Sequence, residues 1–91
     1  IVCAKPEVQE GICPGYFPQD CGAATQNILL AAKALGYGTC WCGVYPNEER
    51  IKAVQEVLGI DCKPYNVIAL GVADEEPAAR GFYDESRVTW M

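Results

Sequence analysis

The sequence predicts a layered α+β fold, a sheet with helices on both faces, and three stretches predict it. Residues 20–36, DCGAATQNILLAAKALG, read as a helix with Gln26 and Lys33 on one narrow polar stripe and apolar side chains nearly everywhere else. A helix that is apolar almost all round is a buried one. Residues 47–59 read as a second helix, amphipathic, with Ile51, Val54, Val57 and Leu58 on one face. Residues 65–72, YNVIALGV, are a near-continuous apolar run. Such a strand needs cover on both faces, so helices should flank the sheet on either side.

Taken in order, residues 1–4 read as a strand. Residues 5–18 hold three prolines and two glycines and read as a long loop, with Tyr16 and Phe17 as its anchors or as a pocket wall. Asp20 is the expected N-cap of the long helix, since its carboxylate can accept from orphan N–H groups of the first turn. Gly36 or Gly38 is its expected stop. Residues 39–44 read as a buried strand interrupted by Gly43, and a glycine in a strand often marks a bulge or a close approach by a ligand. Asn47 caps the second helix and Gly59 ends it. Beyond an acidic turn at 74–77, the tail 78–91 carries Phe82, Tyr83 and Trp90, and the alternation at Arg87–Trp90 suggests a short strand. The long helix exceeds what the rest of so short a chain can cover. The chain therefore reads as part of a larger protein, residues 18–77 being a core and 78–91 a tail that packs on something.

Composition excludes several classes. A net charge of −5 with no basic run argues against nucleic acid. No apolar run reaches the roughly 18–20 residues that span a bilayer. The six cysteines fall below the roughly 8–10% of a disulfide scaffold. With no His and no C-x-x-C, a metal site is weaker still. Cys40 and Cys42 can sit side by side on one strand face. The reading with most weight is free cysteines acting as small buried apolar groups in a reducing, cytoplasmic compartment.

Two stretches, DCGAATQNILLAAKALGYGTCWCG and YNVIALGVADEEPAARGFYDESRVTW, in this order and at this spacing, resemble the C-terminal half of the nitroreductase family, the FMN-dependent NAD(P)H oxidoreductases. The resemblance implies a mixed sheet with helices on both faces and a homodimer with FMN at each subunit interface. It implies that 20–36 is the central helix packed on its mate, and that the tail 78–91 reaches the partner subunit. Trp41, Cys42 and Gly43 then run beside the flavin ring, the backbone N–H near Gly43 donating to the flavin N5 and O4 edge. Arg80 matches the family's basic residue on the FMN phosphate, and guanidinium suits that contact. The departures are Phe82 in place of a second basic residue, Thr89 in place of a His, and the absence of the family's basic, serine-containing N-terminal motif.

The implied activity passes hydride from NAD(P)H through FMN to a nitroaromatic, a quinone or a similar acceptor. No side chain here is a candidate general acid or base, which fits a flavin that carries the chemistry. The piece as written is expected to be inactive alone. The competing reading is a non-catalytic binding or assembly module that dimerises through the apolar helix and aromatic tail.

Overall fold

The computed structural model describes residues 1–9, 15–78, 81 and 83–91. In chain order these form strand β1 (Val2–Ala4), a 3₁₀ turn (Pro6–Gln9), helix α1 (Phe17–Ala34), strand β2 (Gly38–Gly43), helix α2 (Glu48–Leu58), strand β3 (Lys63–Gly71) and a 3₁₀ turn (Glu85–Arg87). β3 is central, with β1 on one side and β2 on the other. Both pairings are antiparallel, so the mixed character expected of the sheet is not found among the described strands.

Helix α1 begins three residues before its expected N-cap. The capping position is Tyr16, with no side-chain cap, and a proline follows in the first turn. Pro18 loses no helix hydrogen bond there and its φ is already helical. Asp20 is instead inside the first turn, where its charge still suits the positive helix end. The C-terminus ends as expected at Gly36, whose φ of 83° is left-handed. The Gly36 N–H donates to Lys33 O and the Tyr37 N–H to Ala32 O at 2.9 Å, which is the Schellman closure. Helix α2 follows its sequence signals at both ends. Asn47 Oδ1 accepts from the Arg50 N–H at 3.0 Å, and Gly59 caps the C-terminus at φ 63°.

The core sits between β1, β3 and the start of α1. Ala4, Phe17 and Cys21 are buried there, with Val2, Tyr45 and Tyr65 packed on them. Phe17 meets Tyr45 edge-on at 5.1 Å and so anchors the helix start, while it also lines a shallow pocket with Val2, Ala4 and Cys21. The register of β1 on β3 steps from Val2↔Asn66 to Cys3↔Pro64, leaving Tyr65 as an extra, bulged residue. Tyr65 and Asn66 in consequence both address α1. The Tyr65 hydroxyl lies over Gly22, and Asn66 Nδ2 donates to Thr25 Oγ1 at 2.7 Å. Thr25 Oγ1 donates in turn to Cys21 O at 2.6 Å. The next residue, Val67, turns to the other face and lines an apolar groove with Val54, Val57 and Leu58 of α2. The helices therefore lie on opposite faces of β3, as the fold class requires.

The structure limits how much is covered. Of α1, only Phe17, Cys21, Thr25 and Ala32 are buried, while Leu30 and the capping residue Leu35 are 59% and 75% exposed. Within the described residues the all-apolar helix is thus buried along a single stripe. The first half of β3 is covered, but Ala69, Leu70 and Gly71 are exposed, so the two-sided cover expected along the whole strand is met only as far as Ile68. Val57 and Leu58 of α2 are also exposed, so of the expected apolar face only Ile51 is buried and Val54 partly so. β2, expected to be buried, has four exposed residues, Cys40 to Gly43, because it is the outer strand. The strand expected at the end of the tail is not formed. Residues 88–90 have no strand partner, and the turn before them is closed by Asp84, whose carboxylate accepts from Ser86 N and pairs with Arg87.

Asn66 is fully buried and its Oδ1 has no hydrogen-bond partner among the described residues. Thr25→Val would strand its Nδ2 as well, at a cost of roughly 1–3 kcal/mol. The double variant Thr25→Val/Asn66→Leu removes both polar partners and should recover most of that loss. Urea denaturation of the full-length protein measures both. A Thr25→Val change within about 0.5 kcal/mol of wild type, the range of ordinary surface substitutions, would count against this account.

Candidate functional site

The candidate site lies along the outer edge of β2. Its register on β3 runs Trp41↔Ile68, Cys42↔Val67 and Gly43↔Asn66. The Val44 N–H donates inward to Tyr65 O at 3.2 Å. Backbone groups alternate sides along an antiparallel pair, so Gly43 and Asn66 form a non-hydrogen-bonded pair. The N–H and C=O of Gly43 therefore point away from β3, as do those of Trp41. A donated bond confirms the carbonyl's direction: Arg50 Nη1, from the first turn of α2, reaches Gly43 O at 3.1 Å. The Gly43 N–H lies on that same outer edge.

Gly43 also leaves space. A Cβ built on it would meet nothing within 4 Å, so a flat ring can approach the backbone there. Trp41 is in phase with Gly43 and leans on Tyr65, ring centroids 6.1 Å apart. Cys42 is in the opposite phase, with Cys40. Of the residues expected at the site, Trp41, Cys42 and Gly43 are thus contiguous on one open edge, but the Cys42 side chain faces away from the face that Trp41 shares. Arg80 and Phe82 lie outside the described residues. Two contributors escape a sequence reading. Arg50 looks like a residue that keeps a helix face wet, and Asn66 like one more strand position. The signal for Asn66 is an amide inside an apolar run, matched by Thr25 in an apolar helix; for Arg50 there is none.

A family match accompanies this geometry. The model of the nitroreductase family matches residues 12–73. The chain belongs to the nitroreductase family. It is 41% identical over 90 residues to a candidate NADH dehydrogenase/NAD(P)H nitroreductase of Methanothermobacter thermautotrophicus, covering 97% of this chain and 46% of that protein. It is 45% identical over 86 residues to a protein of the same description from Archaeoglobus fulgidus, covering 92% of this chain and 47% of the relative. Among solved structures, a candidate NADH dehydrogenase/NAD(P)H nitroreductase from Parabacteroides distasonis superposes with a TM-score of 0.80 at 30% identity, over 93% of this chain and 50% of that one. Its counterpart from Bacteroides thetaiotaomicron gives 0.77 at 35% identity, over 84% and 46%. This nitroreductase-family chain thus spans about half the length of the relatives it matches.

Its cysteines depart from the sequence reading. Cys3, Cys21, Cys40, Cys42 and Cys62 are free thiols, while Cys13 lies outside the described residues. Cys21 is buried as expected, Cys3 and Cys62 are half-buried, and Cys40 and Cys42 are exposed. The last two lie on an outer strand of the sheet. Among the described residues no group of His, Cys, Asp or Glu is arranged to hold a metal. Burial, helped by a hydrogen bond to Cys62 and the charge of that neighbour, pushes the Cys3 thiol up to about 11 from 9.0. The folded state therefore keeps the Cys3 proton at a pH where the unfolded chain has lost it. That contribution to stability is complete below pH 9.0 and is lost as pH rises through about 11. In full-length protein, the fall in denaturation midpoint across this interval should be shallower in Cys3→Ala than in wild type. Parallel curves would assign the alkaline loss to other groups.

Proposed function

We propose that this chain is the C-terminal half of an FMN-dependent NAD(P)H oxidoreductase. Hydride passes from NAD(P)H to the flavin and on to a nitroaromatic, quinone or similar acceptor. The observation that carries the reading is the open outer edge at Gly43: an outward backbone N–H, on a residue with no side chain, in a chain of the nitroreductase family. The fit to FMN is favourable on those terms. When bound, the flavin supplies the hydride chemistry. The chain's own part is to offer the Gly43 N–H to the N5 and O4 edge of the ring, to keep that contact free of side-chain bulk, and to bind the phosphate through Arg80. The NAD(P)H in the names of the relatives supports the electron donor.

A homodimer completes this reading. The exposed apolar side chains of α1, Ile28, Leu30 and Leu35 among them, would be covered by a second copy, and small residues such as Ala24 and Ala31 allow close helix approach. The tail 78–91 would reach the partner subunit, which suits Tyr83 and an 88%-exposed Trp90. No described helix is long and apolar enough to cross a membrane, and free thiols suit a reducing compartment such as the cytoplasm.

Titration of FMN into the apo forms of the full-length protein tests the site. Arg80→Ala should weaken binding by about tenfold to a hundredfold, the worth of roughly 1.5–3 kcal/mol for a hydrogen bond to a charged group. Turnover at saturating FMN should change little. Gly43→Val should weaken binding and slow flavin reduction together, because the side chain pushes the ring off the N–H. A colourless wild-type protein with no affinity for FMN would end the reading.

A further inference from the structure

Arg50 is not among the residues the family resemblance brings to the site, yet it touches the site. Its backbone is fixed by the Asn47 cap, which accepts from its N–H at 3.0 Å. Its guanidinium crosses to β2 and donates to Gly43 O at 3.1 Å. That carbonyl points off the open edge, where no described strand supplies a donor. Gly43 ends β2 and has no side chain to restrain it, and glycine is the residue with most backbone freedom to lose. On the inner side the Val44 N–H is held by Tyr65 O, and on the outer side Arg50 holds the carbonyl. Gly43 is thus clamped in extended form between two elements.

The clamp also carries a charge. Arginine stays protonated at any working pH. The Gly43 carbonyl and N–H share one residue and one edge, so the guanidinium, 3.1 Å beyond the carbonyl oxygen, lies on the same edge as the donor offered to the flavin. A flavin that has accepted hydride holds one more negative charge than the oxidised ring, and a cation on that edge favours it.

Resting on the flavin reading above, we propose that Arg50 is a positioning residue: it fixes the Gly43 N–H for the cofactor and raises the reduction potential of bound FMN through its charge. The two roles separate by substitution in full-length, FMN-loaded protein. Arg50→Gln keeps a donor for the carbonyl and removes the charge. Oxidised FMN should bind within about twofold of wild type and reduced FMN about tenfold more weakly, which for a two-electron couple lowers the midpoint potential by about 30 mV. Arg50→Met removes both roles, so oxidised FMN should also bind about tenfold more weakly. Arg50→Lys should keep the potential near that of wild type. A purely structural clamp would weaken binding without moving the potential. FMN bound with an unmoved potential in both Gln and Met variants would overturn the proposal and leave the flavin site standing. Failure of wild type to bind FMN would remove both.

Discussion

Asn66 is where the elements of this chain meet. It pairs with Val2 of β1 on one side and with Gly43 of β2 on the other, and its amide donates to Thr25 of α1. It is fully buried, so that hydrogen bond forms in a medium where an unmade one is costly. The bulge at Tyr65 is what allows this. It turns two successive side chains of β3 onto α1, one aromatic for packing and one amide for registry. The bond fixes the rotation of α1 on the sheet, which a featureless run of alanines and leucines would leave loosely specified. The residue opposite this junction is Gly43, so the candidate site is built on the best-determined point of the fold.

The uncovered surfaces are as informative as the covered ones. Within the described residues α1 buries one stripe, the far half of β3 is bare, and the apolar groove beside α2 is open. A chain spanning about half the length of its relatives has this character. Its fold is recognisable in isolation, and much of its apolar area is left uncovered by the described residues.

Local signals suffice where the chemistry is local. Asn47, Gly36 and Gly59 mark helix ends through their own side chains or their freedom at positive φ. Residue type favours Asp20 over Tyr16 as the cap of α1, whereas the helix starts at the signal carried by the proline at 18. The tail strand failed because alternation has no force without a partner to hydrogen-bond. The bulge at Tyr65 was illegible, since a bulge is a property of two strands in register. Gly43 stood out as a glycine in a strand. Arg50 did not, because its reach to Gly43 depends on how the turn between β2 and α2 folds back. Cys40 and Cys42 were placed correctly on one face, but their exposure followed from strand order, which periodicity does not encode.

The outward row of β2 has one further consequence. An unpaired strand edge is a template for any other strand, and proteins usually blunt such edges with lysine, proline or a covering loop. The segment Gly38–Gly43 carries neither lysine nor proline, and its side chains are two cysteines, a threonine and a tryptophan. Its shortness and its flanking glycines are its main protection. An edge open enough to suit a flat cofactor is thus open to another strand as well, so a ligand seated there would also guard against self-association.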